Sequence, residues 1–221
     1  MTRDQIQRQL RNIFRRYLGV SSTVTQGLVP QALSAGKLYE AHVLSRVVEH
    51  LAREERYSMT LIGGTKVQLK SSPGPINRSY PRIELRRSGK CFAELWTDVE
   101  FLSLSYCRGG APTLTKGDYH ELDIVIAAAG VSGRPRCDAV WLGVECKNTG
   151  YEKGLLKEIL GIRRELSFVT DPRATKFKSW PRAIVPAEPA SCLLVYSTDA
   201  NVANYAAPGK MFGIDFVHET M

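Results

Sequence analysis

Two short acidic clusters in the middle of the chain have the residue types that metal-assisted chemistry needs. Glu121 and Asp123 lie in a run rich in Ile, Val and Ala over Tyr119–Ala128, and Glu145 and Lys147 end a second apolar run over 138–147. Both runs read as strands, joined by a polar loop. Side chains alternate across a strand, so Glu121 shares a face with Asp123 and Glu145 shares a face with Lys147, while Val144 and Cys146 point the other way. If the strands are neighbours, two or three carboxylates and one ammonium converge at a sheet edge. Oxygen-rich groups of this kind suit Mg²⁺ or Mn²⁺. His120 falls on the opposite face from Glu121 and reads as structural.

The surrounding elements must carry these strands. Residues 37–55 have the strongest helical period, with Ala41, Leu44, Val47, Val48 and Leu51 as the apolar stripe and Tyr39, His42, Arg46, Glu49 and Arg53 on the other side. Glu40 falls inside the stripe, one turn before Leu44. An inward carboxylate is costly unless it is paired or binds a cation; near a helix start the dipole favours it, and it can also reach water past the core's end. A second helix over 152–168 buries Leu155, Leu156, Ile159, Ile162 and Leu166. Arg163 lies in the same arc, placed either to hold a phosphate or the carboxylates, or to cover core with its stem while its head reaches water.

Between these helices the pattern predicts short strands over 58–62 and 65–69, a loop over 71–80, and a hairpin of 82–87 with a long strand from Lys90 to about Ser105, turning at Ser88-Gly89. Alternation along the long strand puts Glu94, Asp98 and Glu100 with Phe92 and Trp96, with an irregularity after Thr97. Those acids can add to a metal site, but solvent is the expected place for them. A loop is expected over 107–118. Residues 170–190 read as a long, proline-rich basic loop, Ser191–Ser197 as a buried strand, and 211–218 as a final strand.

At the N-terminus, residues 3–18 form an amphipathic helix with Ile6, Leu10, Ile13, Phe14 and Tyr17 on one face and five arginines on much of the rest. A small, polar connector follows over 20–36, with room for one short helical turn. The division expected is therefore an N-terminal helix and connector over 1–36 and a single domain over 37–221.

The chain has a formal net charge of +8, which favours polyanionic partners, nucleic acid before anionic membrane. From Arg163 to Arg182 six cations stand against two acids, a net of +4, with Phe177 and Trp180 among them. Lys176, Lys178 and Arg182, with Arg163, are the candidates for nucleic-acid contact, since interleaved cations and aromatics suit phosphates and stacked bases; an ordinary surface loop packed on its scaffold has the same composition. No apolar run approaches the roughly 20 residues of a membrane span. The five cysteines form no C-x-x-C pair, which argues against a zinc ribbon and a secreted disulfide framework, and fits a cytoplasmic location.

The order of these elements resembles the PD-(D/E)xK nucleases, which have the restriction-endonuclease-like fold. The matching residues are Glu40 on the first core helix, Asp123 on one strand, and Glu145-Cys146-Lys147 on the next, before an amphipathic helix and a further strand. The resemblance spans roughly residues 37–198, with Leu122 where the family's name has proline. It implies an α/β fold with a mixed central sheet flanked by helices, to which this chain adds the N-terminal helix and the 82–105 hairpin. It further implies a metal-dependent endonuclease acting on phosphodiester bonds. Asp123, Glu145 and the Cys146 carbonyl would ligate Mg²⁺ or Mn²⁺, Glu40 would bind directly or through water, Glu121 would be an alternative ligand, and Lys147 would be the catalytic cation. DNA is the favoured substrate, with RNA or a non-catalytic binding module as alternatives. A homodimer or a larger assembly, and a role in restriction or antiviral defence, go with that resemblance.

Overall fold

The computed structural model describes residues 3–20, 33–70, 72–110 and 112–221. Its frame is a mixed seven-stranded sheet in the order β1-β2-β3-β4-β5-β8-β9, flanked by helices, an α/β architecture. β1 (Ser58–Ile62), β2 (Arg82–Arg87), β3 (Lys90–Leu102), β4 (Tyr119–Ala128) and β5 (Val140–Lys147) are joined antiparallel in sequence order. α4 (Lys153–Leu166) then carries the chain over one face, so that β8 (Cys192–Ser197) lies parallel to β5. β9 (Ile214–His218) adds to β8, again in parallel. Parallel neighbours need such crossovers, whereas the β2–β3 hairpin turns on Ser88 and Gly89, both at positive φ (52° and 79°), as a two-residue turn requires.

Each face of the sheet has its own apolar core. One joins α1 (Arg3–Tyr17) and α2 (Ala35–Arg53) to Leu95, Ile124, Ile126, Leu142 and Val144. The other joins Ile159, Ile162 and Leu166 of α4 to Trp96, Val99, Leu122, Val125 and Val195. Ile6, Leu10 and Phe14 of α1 belong to the same core as α2. The expected connector over 20–36 lies largely outside the described residues.

α2 departs from its expected faces. Tyr39 and His42, placed outward by the helical period, are buried. The C-terminal segment crosses them: the Tyr39 hydroxyl donates to the Glu219 carbonyl (3.1 Å), and His42 Nε2 lies 3.1 Å from Glu219 Oε1. Period alone cannot foresee a covering segment from the far end of the chain.

Four other expectations are corrected. Residues 65–69 form no strand; Val67 is buried, Thr97 Oγ1 donates to the Gln68 carbonyl, and the segment lies over β3 instead of pairing with it. β3 ends at Leu102, because Ser103 caps a short helix, α3 (Leu104–Gly109), accepting the Tyr106 N–H on its hydroxyl at 3.1 Å. The stretch expected as a loop over 170–190 contains a two-stranded antiparallel hairpin of β6 (Phe168–Ala174) and β7 (Ile184–Glu188). The last strand begins at Ile214, after α5 (Ala206–Met211).

Candidate metal centre

The site forms where the pairing of β4 with β3 is interrupted for one residue and its pairing with β5 ends. On the β3 side the pairing runs Thr97 with Ile124 and Val99 with Leu122, leaving Asp98 and Asp123 opposite one another and unpaired. Asp98 has φ 53°, a left-handed conformation that Asp tolerates better than most residues. On the β5 side the ladder ends at Ile124 with Val144. There the Asp123 carboxylate replaces the missing main-chain partner: Oδ2 accepts the Cys146 N–H at 2.7 Å. The break also changes which face the side chains take. Ile124 packs under α2, whereas Leu122 packs on the α4 face. Gly143 leaves the space Leu122 needs, since a Cβ there would lie 2.7 Å from Leu122 Cδ1.

This break aims Asp98 and Asp123 at the first turns of α2. Oxygen atoms of Glu40, Asp98 and Asp123 come within 4.8 Å of one another, close enough to ligate one cation together. Lys37, one turn before Glu40 and just inside the Ser34 cap, reaches Asp98 Oδ1 at 2.5 Å and Glu40 Oε2 at 2.6 Å. Asp98 Oδ2 accepts the Lys70 N–H at 2.9 Å. Lys37 thus bridges two of the three carboxylates. Burial pushes the Glu40 carboxyl up to about 7; Lys37 opposes the rise, and the Asp123 and Asp98 charges add to it. Burial also raises Asp123, against the hydrogen bond from Cys146 and the charge of Lys147.

Glu145 and Lys147 form the second half of the site. Lys147 Nζ lies 3.0 Å from Glu145 Oε2 and 3.0 Å from Glu158 Oε1 of α4. Burial alone would depress the Lys147 pKa, but the two carboxylates outweigh it and hold it above the ordinary lysine value. Glu145 is buried and pushed up to about 8, by burial first and by the Asp123 charge second. Its Oε1 is buried with no hydrogen-bond partner. An orphaned carboxylate oxygen of this kind is expensive unless a proton or a cation satisfies it.

Of the residues singled out by spacing, Glu40 and Asp123 come together with the main chain of Cys146, and Glu145 and Lys147 pair beside them. Glu121 does not join the group; it is exposed and pairs across the ladder with Glu100. Glu94 and Asp98, both expected in solvent, are only 1% and 4% exposed, and Asp98 is the one that joins the group. Its signal was the break in alternation after Thr97, which turns Asp98 toward α2.

A second group, Glu84, Cys91 and Glu94, also has the spacing for a cation. There arginines already neutralise the acids. Arg78 grips Glu94 with two bonds of 2.7 and 2.8 Å, Arg82 Nε reaches it at 3.1 Å, and Arg86 reaches Glu84 at 2.5 Å. That group is an ion-paired staple, and the one around Asp123 is the centre with carboxylate to spare.

The cations expected to meet nucleic acid are divided by the fold. Arg163 is 2% exposed and donates to the carbonyl and hydroxyl of Ser191 at 2.9 and 2.8 Å, out of reach of a polyanion. Arg182 is tied to Asp215. Lys176 and Lys178 are exposed. Comparison with protein-family models, with curated proteins and with solved structures found no match.

Proposed function

We propose that this protein is a metal-dependent phosphodiesterase of the PD-(D/E)xK type, an endonuclease with DNA as its first substrate. The observation that carries the reading is the meeting of Glu40, Asp98 and Asp123 from three separate elements, within 4.8 Å, beside Glu145 and Lys147. Three clustered carboxylates, two of them bridged by Lys37, and the partnerless Glu145 oxygen fit a hard divalent cation such as Mg²⁺ or Mn²⁺. Glu40, Asp98 and Asp123 would hold it, with Glu145 a nearby carboxylate paired to Lys147. When bound, such an ion supplies Lewis acidity toward a phosphate oxygen and toward water.

The chain's own groups supply the rest. Lys147 keeps its proton through neutral pH and is oriented by Glu145 and Glu158, so its ammonium can donate to the charge that develops on a phosphate. Cys146 fixes Asp123 through its N–H, and Lys37 steadies Glu40 and Asp98. The net charge of +8 supports a polyanionic substrate.

Cleavage of supercoiled plasmid, linear DNA and RNA in Mg²⁺ or Mn²⁺ tests the reading. Asp123→Asn, Glu145→Gln and Lys147→Met should each lower the rate by about 100-fold or more, the usual scale for one electrostatic catalytic group. Because the Glu145–Lys147 pair is buried, folding of each variant is checked by circular dichroism. Equal cleavage by wild type and the three folded variants would sink the assignment. A second reading, a binding module of the same architecture without catalysis, draws on Lys37, which already bridges two of the acids. Calorimetry with Mn²⁺ separates the two: absence of binding favours the module.

A further inference from the structure

A cavity of about 560 Å³ opens between α3, the turn ahead of β5 and the β6–β7 hairpin. None of the residues of the acidic centre lines it. Four cations do: Arg108 of α3, Arg136 of the turn, Arg173 of β6, and Lys176 just beyond it. Two acids, Asp138 and Glu188, stand against them. They neutralise little, because Arg136 to Asp138 is 3.6 Å and Arg173 to Glu188 is 3.5 Å, with all four side chains more than half exposed. Arg108 and Lys176 have aromatic partners in place of carboxylates. The Arg108 guanidinium lies 5.9 Å from the Phe168 ring centre, and Lys176 Nζ lies 5.7 Å from that of Trp141.

Trp141 gives the cavity a second chemistry. Its indole, half-buried on β5, is braced at 4.9 Å by Phe92, which keeps a flat aromatic group at the cavity wall. Leu104, Val140 and Pro189 lie in the wall beside it. Surplus positive charge calls for an anion, and a braced indole calls for a flat ring. A phosphorylated ligand with an aromatic base has both parts, and the volume lies within the usual range for small-molecule sites.

We propose that this cavity is a nucleotide site, with the phosphate held by Arg108, Arg136 and Arg173 and the base against Trp141 beside Lys176. The nucleotide is either free or part of a nucleic-acid strand, the recognition chemistry being the same. The proposal does not rest on the nuclease reading, and its test uses EDTA so that cleavage plays no part.

The full chain in EDTA is titrated by calorimetry with AMP and with inorganic phosphate, and by anisotropy with a labelled 12-nucleotide single-stranded DNA. Arg108→Gln, Arg173→Gln and Lys176→Gln alter exposed side chains, so folding is preserved; Trp141→Leu tests the stacking surface. Lys210→Gln, an exposed cation that does not line the cavity, is the control. AMP should bind at least tenfold more tightly than phosphate, and the three charge variants and Trp141→Leu should weaken AMP by about tenfold each, with Lys210→Gln unchanged. If the same variants weaken the 12-mer and AMP displaces it, the strand is the source; if the 12-mer is unaffected, the free nucleotide is. Binding of neither AMP nor the 12-mer, an equal affinity for phosphate and AMP, or an unchanged affinity in all three charge variants would overturn the proposal.

Discussion

Asp98 and Glu94 lie four residues apart on one strand, both buried, and do opposite work. Glu94 is satisfied by Arg78 and Arg82, whose charge holds its pKa below the ordinary value in spite of burial. Asp98 faces two further acids and shares a single lysine with Glu40. Glu94→Gln should therefore cost stability, on the order of 3–5 kcal/mol for breaking a buried ion pair, with Mn²⁺ affinity kept. Asp98→Asn should do the reverse, weakening Mn²⁺ binding by about tenfold or more with a much smaller shift in the urea midpoint. Calorimetry and urea titration on the two variants give both quantities. Loss of Mn²⁺ affinity in Glu94→Gln alone would move the centre to the wrong acids. Glu121→Gln should leave both quantities unchanged, since Glu121 stands outside the group.

The segment linking β6 to β7 is held by a single buried acid. Glu55, just past the end of α2, accepts the main-chain N–H groups of Lys178, Ser179 and Trp180 at 2.6 to 3.1 Å. Those bonds outweigh burial and lower its pKa. Phe177 is buried in the α2-side core, and Trp180 stacks on His50 at 4.8 Å. The aromatic residues interleaved with cations are thus anchors for the segment, and the cations on either side are what remain outside. Glu55→Ala leaves three donors without their acceptor and should cost about 2–4 kcal/mol. Limited trypsin digestion would show it, with faster cleavage at Lys176 and Lys178 than in wild type. An unchanged digestion pattern would mean that Phe177 and Trp180 hold the segment without the acid.

Across the whole molecule the acidic centre sets a dependence on pH. Glu40 and Glu145 have folded pKa values near 7 and near 8, above the ordinary 4.5. An acid raised on folding binds more protons in the folded state, so stability falls as pH rises from the unfolded pKa through the folded one. Without metal the protein should lose stability on the order of a few kcal/mol between about pH 5 and pH 8. Mn²⁺ should restore it, and more at pH 8 than at pH 5.5, because ionised carboxylates are the ligands. Thermal melts in EDTA and in MnCl₂ across this range check both signs. Stability that is flat or rising toward pH 8 in EDTA would contradict the buried, mutually repelling acids. Among the described residues no helix is long and apolar enough to cross a membrane.

Local pattern determined a good deal by itself. The period of the helices and the alternation of the strands depend on neighbours within a few residues, so α1, α2, α4, the β2–β3 hairpin, β4, β5 and β8 were legible, whereas the expectation that Glu40 meets Asp123 came from the family resemblance. The tertiary structure alone decided which carboxylates meet. Alternation fails at Asp98 and Asp123, where one residue takes a left-handed turn and Leu122 moves over Gly143, and that placement depends on contacts between strands far apart in sequence. The same holds for Tyr39 and His42, covered by Glu219, and for Arg163, whose guanidinium is satisfied by Ser191 in the core rather than by phosphate. Burial and pairing are properties of the assembled fold: a carboxylate's spacing shows the faces open to it, and only its three-dimensional neighbours decide whether arginines or other acids meet it there.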